Sequence, residues 1–416
     1  MFSAFDKKIT VRVKSGTLLF SGLYIIFVLY MAWEYYWYKH IGWQFVRWHT
    51  HLFPYIVVLT ILFNCYWRIN SPQSSKFKIG MIIMLLLLFG EIIALLAMRL
   101  DDYSIYEKFV YNPHNYYHTW NPNENFSEIT PEFNYARKFN SLGFPDIDWE
   151  KDKKNKIRLL ALGDSYTEGY GASADSAYPL LLENSLNANA GFQKYEILNA
   201  GTCGSDPIFN IKNLEDRLLI YKPDIVFQTI SSHDILKDFA FRGGFERFNS
   251  DTTITYKPVP FWVYPSMLNR LVRGTLFLFG LYEARPARIN DEYLKEVNQI
   301  LKHMVAEYSR LSETNNFKTI FIIHPNVFEL KDKKYRFEFT QLMAEINKYN
   351  NLSVIDLFPC YIHSLNRMGK DYNFFYWKLD SHHNAKGYAM MSKCIEENLQ
   401  HTFLRTDSIQ NIIAVN

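Results

Sequence analysis

The chain has 416 residues, room for two or three domains at about 150 residues each. Hydrophobic residues make up 48% and charged residues 21%, which excludes long intrinsic disorder as the main state, because disorder needs low hydrophobicity and high net charge. The net charge of +3 is too small to point to nucleic acid as a partner. That sum hides an asymmetry: residues 1–100 hold 10 Lys/Arg against 3 Asp/Glu, and the rest holds 35 against 39. Four cysteines without a CxxC pair do not make a disulfide scaffold, and Cys65 lies in an apolar run, so neither a zinc site nor any other cofactor is expected.

The first hundred residues read as a membrane anchor. Ser15 to Trp33 carries no charge, Leu52 to Trp67 is a shorter apolar run, and Ile79 to Met98 is interrupted only by Glu91. A bilayer-spanning helix needs about 20 apolar residues. The first and third runs reach that length, and the second does so by borrowing uncharged flanks such as His49 to His51. After the first run comes Glu34-Tyr35-Tyr36-Trp37-Tyr38, an interfacial aromatic belt and not a signal-peptide cleavage site. Lys7, Lys8, Arg12 and Lys14 precede the first run, and Arg68, Lys76 and Lys78 lie between the second and third. Only Lys39 and Arg47 lie between the first and second. The positive-inside rule then puts the N-terminus in the cytoplasm and everything after Arg99 on the outer side, periplasmic or extracellular. Glu91 reads either as a helix-facing group or as an interfacial one.

Residues 101–154, rich in Tyr, Asn, Pro and Trp, read as an extended connector. From 155 to 405 strand-like and helix-like runs alternate. Strands are expected at Ile157–Leu162, Tyr195–Leu198, Asp224–Ile230, Thr319–Ile323 and Val354–Leu357. Helices are expected at Ala177–Leu186, Ile208–Tyr221, Phe337–Ile346 and Ala385–Leu399. A further apolar stripe runs Tyr293, Val297, Ile300, Leu301, Met304, Val305 and Tyr308. The pattern breaks over about 238–289, read as an insertion. Within it, Met267–Tyr282 is an apolar stretch carrying Arg270 and Arg273: a core helix, a cap over a site, or a membrane-surface helix. Residues 406–416 form a tail. The alternation argues for an α/β domain with a parallel sheet covered on both faces, whose ligands bind beyond the carboxyl ends of the strands.

Four segments stand at those ends. Gly163-Asp164-Ser165-Tyr166-Thr167-Glu168-Gly169 follows the first strand. A Ser at a strand-to-helix turn has backbone N–H groups beside its hydroxyl, which suits a nucleophile attacking a carbonyl. Asn199-Ala200-Gly201-Thr202-Cys203-Gly204-Ser205 follows the second, and Ser231-Ser232-His233-Asp234 the third. Asp380-Ser381-His382-His383-Asn384-Ala385-Lys386-Gly387 precedes the last helix, and an Asp close to a His suits a carboxylate that fixes an imidazole tautomer.

Together these segments resemble the SGNH, or GDSL, hydrolases over about 155–405. The stretch Phe139-Asn140-Ser141-Leu142-Gly143-Phe144 resembles the lead-in of membrane-anchored members. The resemblance implies a flavodoxin-like, doubly wound parallel sheet, here preceded by three transmembrane helices. It implies Ser165 as nucleophile, Asp380 as acid, and an oxyanion hole from the N–H groups of Ser165 and Gly204. The family's Asn donor falls on His233, a departure, as is Ser231 in place of Gly. The base is His382 in a short Asp-x-His form, which keeps Asn384 and Gly387 in register, or His383 in the longer form. The expected function is a membrane-anchored serine esterase acting outside the cytoplasm on an O-acetylated envelope sugar or a lipid. The alternatives are an acyltransferase with the same triad, and a non-catalytic binding module.

Overall fold

The computed structural model describes residues 58–59, 62, 74–98, 109–111, 118–249, 254 and 291–402. The chain divides into two compact units, residues 1–98 with 258–273, and residues 99–257 with 274–416.

In the first unit, the run 15–33 lies outside the described residues, as does nearly all of 52–67. No helix among the described residues is long and apolar enough to cross a membrane, so the three expected spans are not found among them. The third run does form one continuous helix, α1 (Ser74–Met98), with side chains described from Lys78 to Ile93. Within that stretch Ile82, Ile83, Leu85, Leu86 and Phe89 are exposed, whereas Glu91 is buried.

The second unit is built on five parallel strands: β1 (Ile157–Gly163), β2 (Tyr195–Gly201), β3 (Ile225–Ile230), β4 (Lys318–Ile323) and β5 (Leu352–Asp356). Their order across the sheet is β2-β1-β3-β4-β5, that of flavodoxin-like doubly wound folds. Side chains alternate between faces along a strand. Accordingly Leu160, Leu162, Val226 and Phe321 join one buried cluster, with α3 (Pro207–Asn213) and α4 (Asp291–Asn315). Leu159, Ala161, Phe227 and Ile320 join another, with α2 (Tyr178–Ala190), α5 (Phe358–Met368) and α6 (Ala385–Thr402). Strands apolar on both faces are what a doubly covered parallel sheet requires. The stripe Val297, Ile300, Leu301, Met304, Val305 and Tyr308 is the buried side of α4.

Residues 118–154 are not an extended connector. Asn125–Ile129 and Asn134–Lys138 form an antiparallel hairpin, and Trp120, Phe126, Phe133, Tyr135 and Phe139 form a core with Tyr170, which follows the serine segment. The period-two pattern is hidden in the sequence because charged Arg137 faces inward beside Tyr135 while apolar Ile129 faces out. The lead-in stretch makes the turn that follows. Asn140 Oδ1 accepts the N–H groups of Leu142 and Phe144 at 2.9 and 3.0 Å. Of the expected insertion only the start is described, the short helical segments Phe239–Arg242 and Phe245–Arg247 and residues to 249 with 254. Met267–Tyr282 and the tail 406–416 lie outside the described residues.

One pairing in the sheet sets up everything that follows. β1 and β2 run in parallel register with Gly163 opposite Gly201, so the serine segment and the glycine segment leave the sheet side by side. A Cβ on Gly201 would stand 2.2 Å from the backbone nitrogen of Glu168, so only glycine lets the two segments approach so closely.

Candidate active site

Ser165 opens a single helical turn, Ser165–Glu168, whose cap is Asp164: its carboxylate accepts the N–H of Tyr166 at 2.9 Å. The turn ends at Gly169 in the left-handed conformation, with φ 87°. Burial is the main reason the Asp164 carboxyl rises, to about 6, against the opposing pull of the Tyr166 N–H and of His382.

His382 reaches Ser165 from the far end of the chain. Its Nε2 lies 2.8 Å from Ser165 Oγ, and its Nδ1 lies 2.6 Å from Asp380 Oδ1. With Nδ1–H donating to the carboxylate, Nε2 is left to accept the serine proton, the tautomer a general base needs. Asp380 Oδ1 also accepts the backbone N–H of His382 at 3.1 Å. This double hold of residue i on i+2 uses Ser381 at φ 73°, a left-handed conformation for a non-glycine residue. The Tyr166 hydroxyl donates to Ser381 O at 3.1 Å and keeps that turn in place. Burial works against charge on His382, but the Asp380 carboxylate outweighs it, and the imidazole sits above its ordinary value. Burial likewise works against the Asp380 carboxylate, and the bonds from His382 overcome it and hold the carboxyl low.

His383 points elsewhere. It is fully buried among the rings of Tyr361, Tyr376 and Tyr388, with Nε2 3.3 Å from the Tyr361 hydroxyl. Burial holds its pKa well below the usual range, helped by the nearby His324 and His382. Of the two adjacent histidines, the structure therefore brings His382 to the serine and keeps His383 in the core.

Gly204 sits in a tight turn. Ser205 N–H donates to Thr202 O at 3.0 Å, and Gly204 has φ 73° while Cys203 is not in the positive region. That is a type II turn, which needs φ above zero at its third residue and so favours glycine there. The turn is tied to the serine segment from below, where Ser205 Oγ donates to Gly163 O at 2.9 Å. It is tied from the side by Glu168, whose Oε2 accepts Cys203 N–H at 2.6 Å and Trp120 Nε1–H at 3.0 Å.

The hairpin braces the same groups. Arg137 is buried and donates to Glu168 O at 2.9 Å and Ala172 O at 2.8 Å, and it pairs with Glu168 Oε1 at 3.4 Å. Glu132, in the hairpin turn, accepts the N–H groups of Leu379 and Asp380 at 2.7 and 2.8 Å. Burial raises the Glu168 carboxyl despite the Arg137 guanidinium.

This arrangement sets a serine hydroxyl against an imidazole that a carboxylate orients, beside a turn able to present N–H groups. Residues 161–390 match the model of the GDSL-like lipase/acylhydrolase family, more than half of the chain. The chain belongs to that family. It is accordingly a hydrolase that acts on esters. Among curated proteins none matches the chain. It is similar to the crystal structure of a two-domain esterase, CEX, active on acetylated mannans, at 12% identity and TM-score 0.37, covering 59% of this chain and 49% of that one. It is also similar to a lipolytic G-D-S-L family protein from Veillonella parvula DSM 2008, at 16% identity and TM-score 0.36, covering 60% of this chain and 99% of that one. A third similar structure is the acetyl xylan esterase AlAXEase, at 14% identity and TM-score 0.37, covering 58% and 100%. The chain thus spans about half the length of the first of these. Membership of the GDSL-like family rests on the sequence match.

In this GDSL-like chain the expected third donor, His233, lies just after β3. His233 is exposed, its backbone N–H donates to Ser231 Oγ at 3.2 Å, and Ser165 Oγ is bonded among the described residues only to His382. Asp234, next to His233, is buried and accepts from Ser231 N–H and Oγ, which shows what a serine does at the position where the family carries glycine. Among the described residues no three His, Cys, Asp or Glu could hold a metal ion.

Four groups with clear work here had no role in the sequence reading: Trp120, Glu132, Arg137 and Glu168. Glu168 lay inside the serine motif. The others precede the motif, and no spacing rule links them to it.

Proposed function

We propose that this chain is a membrane-anchored serine esterase whose catalytic domain faces the outer side of the cytoplasmic membrane. The observation that carries the esterase reading is the continuous chain from Ser165 Oγ through His382 to Asp380, at 2.8 and 2.6 Å. His382 Nε2 takes the Ser165 proton as Oγ attacks the ester carbonyl, and Asp380 stabilises the resulting imidazolium. The negative charge that develops on the carbonyl oxygen is met by the N–H groups of Ser165 and Gly204. The imidazolium then protonates the departing alcohol, and water, deprotonated by the same base, releases the acid. The substrate is an ester presented at the envelope, an O-acetylated sugar or a lipid.

Three features support the anchor and its direction. The basic residues are distributed seven against two across the expected spans. The exposed residues of α1 from Ile79 to Ile93 are all apolar. The third is a disulfide between Cys360 of α5 and Cys394 of α6. Such bonds persist in oxidising compartments and are rare in the cytosol.

The full chain in detergent tests the reading. Wild type should react with a fluorophosphonate probe and hydrolyse nitrophenyl acetate, and Ser165→Ala should do neither. Labelling that survives Ser165→Ala removes the nucleophile assignment. A reporter fused after residue 416 should be active only outside the cytoplasm, and a cytoplasmic signal would overturn the topology.

A further inference from the structure

The turn that carries Gly204 is gripped from a second side, and the grip comes from the start of the insertion. Arg242 Nη1 donates to Gly204 O at 2.6 Å. The same nitrogen lies 3.2 Å from Asp206 Oδ2, and Nη2 lies 3.5 Å from Asp238 Oδ1. Asp206 is fully buried and takes Arg247 on both oxygens, at 2.7 and 2.8 Å. It also caps α3 by accepting Ile208 N–H and Phe209 N–H. Burial would raise the Asp206 carboxyl, but the two guanidiniums overcome it and hold the group low. Two arginines from 239–247 are thereby latched to the residue that ends the 202–206 segment, and one of them reaches the turn itself.

We propose that Arg242 is a positioning residue that sets the oxyanion donor of Gly204. The peptide bearing Gly204 N–H is the middle one of the turn. Glu168 holds the peptide before it through Cys203 N–H, and Arg242 holds the peptide after it through Gly204 O. With both neighbours fixed, the Gly204 N–H keeps one direction relative to Ser165, which stands next to it because Gly163 and Gly201 are in register. Removing the Arg242 hold loosens the outer peptide, leaving it only the Ser205 N–H bond to Thr202 O and the Ser205 Oγ bond to Gly163 O. A donor set for a tetrahedral oxygen loses much of its effect with a displacement of about 1 Å. The ground-state ester, whose carbonyl oxygen carries little charge, loses far less. The insertion thus has a direct mechanical connection to the oxyanion site. This inference rests on the esterase reading.

Two variants of the full chain test it, Arg242→Gln and Arg242→Lys, each against wild type. With a nitrophenyl ester, Arg242→Gln should lower kcat by about 10- to 100-fold, less than the 10²–10³ typical of losing an oxyanion donor outright, with KM within twofold. Arg242→Lys should recover part of the loss, because an ammonium still donates to a carbonyl. Amide hydrogen exchange across residues 202–206 should quicken in Arg242→Gln and return toward wild type in Arg242→Lys. A lowered melting temperature with kcat and KM unchanged would make Arg242 merely structural and overturn the proposal, as would unchanged exchange over 202–206. If Arg242→Gln does not fold, Arg242→Lys decides by the same kcat and exchange readings. If wild type itself hydrolyses nothing, the esterase reading fails, and the exchange measurement still decides whether Arg242 orders the turn.

Discussion

At the amino end of the central sheet, Arg158 is fully buried, and its guanidinium meets Glu196 at 2.6 Å, Tyr221 O at 2.7 Å, and the carbonyls of Lys151 and Asp152 at 3.2 Å. Asp224 pins the same strand by accepting Arg158 N–H and pairing with Lys153. At the carboxyl end the buried charges are less comfortable. Burial pushes the carboxyls of Asp164, Glu168 and Asp234 upward. His324, directly after β4, is buried with neither ring nitrogen in a hydrogen bond among the described residues, and Ser381 occupies a left-handed conformation. One sheet thus carries a fully satisfied polar network at one end and strained, desolvated groups at the other. The difference shows where stability is given up so that acids, bases and donors can be held away from water.

Substitutions at the two ends should separate activity from stability. The largest effect is expected at the carboxyl end. His382→Ala should lower kcat by about 10⁴–10⁶ with little change in melting temperature, while His383→Ala should keep at least about a tenth of the activity and melt lower, because it empties a buried site. Steady-state kinetics and thermal melting on both variants check this, and a dead His383→Ala with an active His382→Ala would reverse the two roles. Arg158→Met, at the amino end, should do the opposite. Removing one partner of a buried ion pair costs about 3–5 kcal/mol, so denaturant unfolding should shift strongly while kcat stays near wild type. A kcat loss matching the stability loss would dissolve the contrast between the ends.

A pH titration of stability, compared between wild type and one variant, probes a single group at the carboxyl end. Burial is the main cause that pushes His324 down to about 4. A base whose folded pKa lies below its ordinary 6.5 contributes stability that is complete above 6.5. That contribution declines as the pH falls and is gone below about 4, an effect on the order of 3 kcal/mol. The melting temperature should therefore drop between pH 6.5 and 4, and His324→Phe should flatten its share of that drop. An unaltered pH profile in the variant would mean that this histidine titrates alike in the folded and the unfolded chain. The smallest effect is at Ser381. Glycine adopts φ above zero freely, so Ser381→Gly should change stability by less than about 1 kcal/mol and retain activity. A β-branched residue there, as in Ser381→Val, should lower both, and equal behaviour of the two variants would show that the turn can relax.

The sheet was readable from the sequence because its strands are unbroken apolar runs. Ile157–Leu162 and Thr319–Ile323 differ from the observed strands by a residue at one end. The seven residues from 195 extend past the expected Leu198 because Asn199, Ala200 and Gly201 interrupt the apolar run. The placement of His382 against Ser165 was anticipated from Asn384 and Gly387. In the structure, the Asn384 side chain accepts the N–H groups of Lys386 and Gly387 and starts the closing helix. The braces were not readable. Arg137 and Glu132 act through backbone carbonyls and N–H groups, and such bonds constrain a partner's position without constraining its residue type. The pairing of Cys360 with Cys394 was equally hidden, because two cysteines 34 residues apart carry no signal of their own.

The hairpin also redraws the border of the catalytic cassette. The stretch recognisable by descent, 161–390, begins after Trp120, Glu132 and Arg137, yet these three reach Glu168, Asp380 and the serine turn. A graft or a natural recombination that joined foreign sequence at residue 155 would inherit Ser165, His382 and Asp380 along with an intact sheet, and would leave the turn around Glu168 without its outer wall. The smallest portion that can move between proteins and keep its chemistry starts before Trp120, so residues 118–154 and the family domain must travel together.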